Sequence, residues 1–144
     1  MLKRKRLIII SGIIFLLGFL LINFIQQNYV VPIIMYHSIN PTAIPENRLA
    51  VTPEALERQM HFLKRYRYNV LPLEKLAALI KEGKKIPYRT ITITFDDGNK
   101  DNYIYAFPIL KKYNLPATIF IIVHEVGRPD RLSWDEINAM QNSG

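Results

Sequence analysis

The run Ile91-Thr92-Ile93-Thr94-Phe95-Asp96-Asp97-Gly98 ends an apolar, β-branched stretch in two adjacent carboxylates and a glycine. Neighbouring acids repel each other and are costly to desolvate. At the mouth of a strand they suit cation ligation, proton transfer or contact with a polar substrate. The same residues also suit a solvated Asp-Asp-Gly turn or a cap on a following helix. Spacing alone leaves both readings open.

The flanking residues extend the pattern. The stretch from Thr92 to Leu115, with its successor Pro116-Ala117-Thr118-Ile119-Phe120, resembles the polysaccharide deacetylase family, whose first motif is Thr-Phe-Asp-Asp-Gly at the end of a barrel strand. Pro32-Ile33-Ile34-Met35-Tyr36-His37-Ser38-Ile39 is similar to the first strand of the branch acting on exported polysaccharides, and Leu132-Ser133-Trp134-Asp135-Glu136-Ile137 continues the resemblance downstream. Asn99 departs from the pattern, standing where an aromatic residue usually follows the glycine.

The resemblance implies a deformed parallel (β/α) barrel and metal-dependent hydrolysis of N-acetyl groups on N-acetylglucosamine units of a cell-wall or exported polysaccharide. It implies Asp96 as general base and Asp97 as metal ligand, the metal being zinc, with cobalt or nickel as alternatives. A divalent metal suits amide hydrolysis because it acidifies a bound water and polarises the carbonyl. Alternate residues of a strand start toward opposite faces, so one acid can face the metal while the other faces the water. In the family a His-x-x-x-His motif follows the helix containing Trp134. This sequence ends at Asn142-Ser143-Gly144, so the resemblance implies an incomplete barrel and an incomplete ligand set within these residues.

The N-terminus determines the expected location. Lys3-Arg4-Lys5-Arg6 precedes an apolar run from Leu7 to Ile25, which as a helix is roughly 28 Å long and can span a bilayer. Basic residues first and the domain second place the N-terminus in the cytoplasm and residues from Gln26 onward outside it. Neither Asn23-Phe24-Ile25 nor Gln26-Gln27-Asn28 offers the small-x-small site of a cleaved signal peptide, which favours a single-pass signal anchor in the cell membrane. The expected organisation is a basic segment 1–6, a transmembrane anchor 7–25 and a partial deacetylase domain 26–144.

The net charge of +7 is mostly this topology signal, because the first six residues carry four of the nineteen basic side chains. The remaining clusters, such as Lys64-Arg65-Arg67 and Lys84-Lys85, fall near helix ends, where cations complement the macrodipole. Nucleic acid is therefore not an expected partner. With no cysteine, disulfide and thiolate chemistry are excluded.

Strands and helices alternate along the domain. Val31 to Tyr36, Tyr68 to Leu71, Thr90 to Phe95 and Ala117 to Val123 read as strands. Thr52 caps a helix with Pro53 at its first position and Leu56, Met60 and Leu63 on one face; Leu73, Leu76, Ala77 and Ile80 mark a second, stopped by Gly83. Asp101 to Tyr113 forms a third helix, kinked by Pro108 and ended by Asn114, while Ser133 and Glu136 form a capping box for a fourth, ended by Asn142 or Gly144. The segment Asn40 to Arg48, with Pro41 and Pro45, reads as an exposed loop.

This alternation builds a parallel sheet whose C-terminal strand ends carry Asp96, Asp97, His37 and His124. His37 is expected at the barrel mouth near the acids, His124 at the surface, and His61, Trp134, Tyr36 and Tyr103 in packing roles. Two other classes compete. A noncatalytic membrane-anchored module binding polysaccharide or a partner fits an incomplete ligand set, whereas a glycosidase needs carboxyl groups about 5 to 9.5 Å apart across a sugar, which adjacent residues suit poorly.

Overall fold

A computed structural model describes residues 2–27, 30–44 and 46–143, so Asn28, Pro45 and Gly144 of the sequence reading lie outside the described residues. The chain divides into two compact units, Met1–Val30 and Val31–Gly144. In the first, one helix, α1 (Leu2–Gln27), runs unbroken through the basic segment and the apolar stretch. Its span Arg4–Phe24 is long and apolar enough to cross a membrane. Asn23 does not interrupt it, because the side-chain amide donates to the Phe19 carbonyl of the same helix at 2.8 Å.

The second unit is an α/β fold built on a parallel sheet. Its elements are β1 (Ile33–Tyr36), β2 (Ser38–Ile39), β3 (Ala50–Val51), α2 (Pro53–Arg65), β4 (Asn69–Val70), α3 (Leu73–Lys81), β5 (Thr90–Phe95), α4 (Phe107–Tyr113), β6 (Thr118–Ile119) and α5 (Trp134–Gln141). β5 is central. β1 pairs along one edge, and the other edge is shared by β4 at its start and β6 at its end, all parallel. β2 and β3 form a separate two-stranded parallel pair, too short to leave a periodic signal in the sequence.

β5 separates the two faces of the sheet by simple alternation. Ile91, Ile93 and Phe95 point toward the helices and join Tyr36, Leu56, Met60, Leu63 and Leu110 in the core. Tyr36 stacks on Phe95 with ring centroids 5.2 Å apart. Its hydroxyl donates to Gln59 Oε1 at 2.6 Å, and burial pushes its pKa up to about 12, so it stays neutral. The opposite face carries Thr92 and Thr94 beside Ile33 and Met35, which are 53% and 58% exposed.

Three helices end in the same way. After α3, Gly83 adopts φ +61 and the amides of Gly83 and Lys84 bond back to Ile80 and Leu79; after α4, Asn114 does so at φ +51 with Lys111 and Leu110 as acceptors. After α2 the left-handed position is Arg67 (φ +55), with Arg67 and Tyr68 donating to Lys64 and Leu63. This paired bonding releases the chain into the next strand and normally favours glycine or asparagine.

Several details differ from the sequence reading. The helix expected over Asp101 to Tyr113 runs on without a break in helical backbone, but it contains a π-helical turn, Asn102–Ala106, that passes directly into α4 just ahead of Pro108. β6 stops at Ile119 rather than Val123, so His124 is exposed in a 3-10 turn, Val123–Glu125, instead of ending a strand. Trp134 is 54% exposed because the buried residue at this helix start is Leu132, ahead of the Ser133 cap. Ile80 is exposed, leaving Leu76 as the buried residue of α3, and His61 is exposed with its ring edge against Tyr113.

Phe95 is fully buried between the acidic turn and the helices. Phe95→Ala is expected to lower unfolding stability by about 3–5 kcal/mol, measured by urea denaturation of the purified chain.

Candidate active site

The strand that carries the acidic pair ends at Phe95, and the carboxylates sit on the turn that follows. Asp96 keeps the sheet pairing for one more step, its amide donating to the Tyr36 carbonyl at 2.9 Å. Asp97 then adopts φ +69 and Gly98 φ +64, two consecutive left-handed residues. For Asp97 this conformation is strained by about 1–2 kcal/mol. At Gly98 a side chain would also crowd Ile121, since a Cβ there would lie 3.1 Å from Ile121 Cγ2.

The reversal changes where the acids face. Strand parity predicts opposite directions, yet Asp96 and Asp97 both line one open concavity of ≈ 680 Å³ with Thr94, Ile33, Met35 and Phe120. Asp97 lies past the end of β5, where strand alternation no longer applies. His37 joins them from the end of β1, with Nε2 3.9 Å from Asp96 Oδ2, as its place at the strand end suggests. His124 does not; its 3-10 turn leaves it outside this group.

A polar clamp fixes the end of β1 against the acidic turn. Ser38 Oγ donates to Asp101 Oδ2 at 2.5 Å, and Asn99 Nδ2 donates to the His37 carbonyl at 3.1 Å. The carboxamide of buried Asn102, with its nitrogen turned toward them, donates to Asp101 Oδ1 and to the same His37 carbonyl, both at 3.0 Å. On the other side, Arg131 donates from Nη1 to Asn99 Oδ1 and lies in ion-pair contact with Glu125 Oε2 at 2.7 Å, without hydrogen-bond alignment. The amides of Leu132 and Lys100 bond to Gly98 and Asp130, completing the attachment of the 125–132 segment to the turn.

Sequence reasoning missed this clamp. Asn99 stood out only as a departure from the family pattern, and Asp101 only as a helix start. The signal available was the density of short polar residues, Asn99, Asp101 and Asn102, directly after the glycine.

Among the described residues no three His, Cys, Asp or Glu side chains cluster closely enough to hold a metal ion. Asp97 can contribute an oxygen donor, Asp96 lines the same concavity and His37 lies against Asp96. A catalytic zinc takes three protein ligands, so these residues do not form a complete zinc site.

Glu136 anchors α5 to the same region. It accepts from the Ser133 amide at 2.9 Å in a capping box and pairs with Lys100 at 2.7 Å. Burial opposes its ionisation, but the hydrogen bonds from Lys100 and Ser133 outweigh that and lower its pKa below 4.5.

Comparison with known proteins places this geometry. Residues 83–144 match the family model described as polysaccharide deacetylase. The chain is 36% identical over 113 residues to YxkH of Bacillus subtilis (strain 168), covering 78% of this chain and 39% of that protein. It is 37% identical over 100 residues to a poly-beta-1,6-N-acetyl-D-glucosamine N-deacetylase of Staphylococcus aureus (strain N315), covering 66% and 34%. Among solved structures it superposes on the Streptococcus pyogenes deacetylase PplD in complex with acetate with a TM-score of 0.72, at 30% identity over 79% of this chain and 53% of that one. IcaB from Ammonifex degensii gives 0.72 at 27% identity, over 79% and 49%. The chain thus spans 34–39% of the length of these curated relatives.

Two stability predictions follow from the site. Asp97→Gly should raise stability by about 0.5–1 kcal/mol and Asp97→Ala should lower it by about 1 kcal/mol, a sign contrast read in thermal melts. For Glu136, whose folded pKa is depressed, the stabilisation is complete above 4.5 and is lost as pH falls through the lowered value. Glu136→Gln should therefore cost about 1 kcal/mol at pH 7 and progressively less in acid, measured by melts across a pH series.

Proposed function

Because the chain belongs to the polysaccharide deacetylase family, we propose that the protein containing it hydrolyses N-acetyl groups on an exported or cell-wall polysaccharide built of N-acetylglucosamine. The observation that carries this reading is the pair of carboxylates on one concavity at the C-terminal end of β5. The poly-beta-1,6-N-acetyl-D-glucosamine deacetylase relative supports the substrate class.

Asp96 is the proposed general base and Asp97 one ligand of a divalent metal, zinc first and cobalt or nickel as substitutes. When bound, the metal supplies an acidified water and a polarised carbonyl. The chain's own part is narrower. Asp96 accepts a proton at its carboxylate, and the Ser38, Asn99, Asp101 and Asn102 clamp holds the turn and β1 in register so that His37 stays beside that carboxylate. The remaining donors that the family places on the metal are proposed to come from outside these residues.

Helix α1 is proposed as an uncleaved signal anchor, keeping Lys3 to Arg6 in the cytoplasm and the domain outside. A noncatalytic envelope module is the second reading, supported by the lack of a three-donor cluster among the described residues.

The test is acetate release from β-1,6-linked N-acetylglucosamine oligomers by the full-length protein with added Zn²⁺, Co²⁺ or Ni²⁺. Asp96→Asn should reduce turnover about 10²- to 10⁴-fold while metal stays bound, whereas Asp97→Asn should weaken metal binding as well. Full turnover in the double amide variant would sink the assignment. Neither tight metal binding nor acetate release by the unmodified protein would favour the noncatalytic module.

A further inference from the structure

Parallel strands begin at one end of a sheet, and here that end is strongly basic. The end of α2 brings Lys64, Arg65 and Arg67, and the connection from α3 to β5 brings Lys84, Lys85 and Arg89, all exposed. Glu82, the acidic residue within these two segments, is already paired with Lys84 at 2.7 Å. Among the described residues no carboxylate pairs with Lys64, Arg65 or Arg67. By contrast, Lys100 and Arg131 beside the acidic turn are engaged by Glu136 and Glu125.

Backbone strain and neighbouring aromatics accompany these cations. Arg67 and Arg89 are both left-handed, at φ +55 and +59, where an L side chain is disfavoured. Gly83 ends α3 with the same bonding as Arg67 ends α2, so the fold accepts glycine at such a position and α2 carries a strained cation there instead. Exposed Tyr66 and Tyr88 accompany the cations, and Arg89 donates to the Tyr66 carbonyl at 3.1 Å and lies over the rings of half-buried Tyr68 and of Tyr88 at 5.8 and 5.9 Å. Tyr66 lies in sequence between Arg65 and Arg67, and an amphipathic tyrosine among exposed cations is the composition of a surface that rests at a bilayer interface.

We propose that this basic, tyrosine-bearing end docks on anionic phospholipid headgroups and holds the strand ends bearing Asp96 and Asp97 away from the bilayer. The proposal rests on the anchor reading of α1. β1, the first strand after that helix in sequence, starts at the basic end.

The absence of cysteine permits single labelling of the full chain in nanodiscs. A fluorophore on Glu82→Cys or on Asp130→Cys, the latter beside the acidic turn, is read against headgroup-linked quencher lipid. The expected result is strong quenching at position 82 in bilayers with roughly a third phosphatidylglycerol, weak quenching in neutral phosphatidylcholine and none at position 130 in either. Arg67→Gly should raise the melting temperature by a few degrees while lowering the docked population about five-fold, opposite movements that a purely structural arginine does not produce. Equal quenching in the two bilayers, or quenching at both positions, would overturn docking alone. Polyphosphate that binds the chain while position 82 stays unquenched in both bilayers would assign the surface to a wall polymer and overturn it too. A chain that does not enter nanodiscs at all overturns the anchor reading and the docking together.

Discussion

The left-handed backbone at Asp97 is the constraint around which the site is organised. An isolated chain would avoid it, since the strain is about 1–2 kcal/mol and Gly98 follows in the same region. It persists because the turn is held from several directions at once. The Tyr36 carbonyl takes the Asp96 amide, the Gly98 carbonyl takes the Leu132 amide, and the Lys100 amide reaches Asp130. Those partners come from β1 and from the segment before α5, so the geometry of the acids belongs to the tertiary structure rather than to the tripeptide.

That distinction separates what the sequence discloses from what it hides. β5 and its acidic terminus are legible because Thr and Ile or Phe alternate up to Phe95 and then stop. The Thr52 and Ser133 caps are legible because capping depends on residues three positions apart. The direction of Asp97 is not, because strand parity ends with the strand. Nor is the clamp, since Ser38 to Asp101 and Arg131 to Asn99 join residues far apart in sequence and leave no local period. Two-residue strands such as β2 and β3 are illegible for a related reason: periodicity needs length, and their pairing depends on a chain reversal through the intervening loop.

The two faces of β5 complete the picture of how the acids are supported. Ile91, Ile93 and Phe95 commit one face to a packed layer under α2 and α4, and this rigid side carries the turn. The other face keeps Thr92 and Thr94 buried while Ile33, Met35 and Phe120 stay about half exposed, so an apolar wall runs up to the carboxylates. An apolar wall lowers the local dielectric around any charge at its rim, which strengthens what two adjacent carboxylates do to a cation or a proton.

A parallel sheet also gives its two ends different electrostatics, and helix dipoles are the obvious explanation for bases at the strand starts. The C-termini of α2 and α3 lie there, with partial negative charge that Lys64, Arg65 and Lys81 offset. The dipole account falls short at Arg67. The effect decays within the last turn, and Arg67 lies outside the helix in a conformation that opposes its side chain. Gly83 closes α3 at the equivalent position with no cation at all. A residue that strains the backbone, has no carboxylate partner among the described residues and exceeds what the dipole needs is better explained by charge directed outward, at the end of the domain opposite its chemistry.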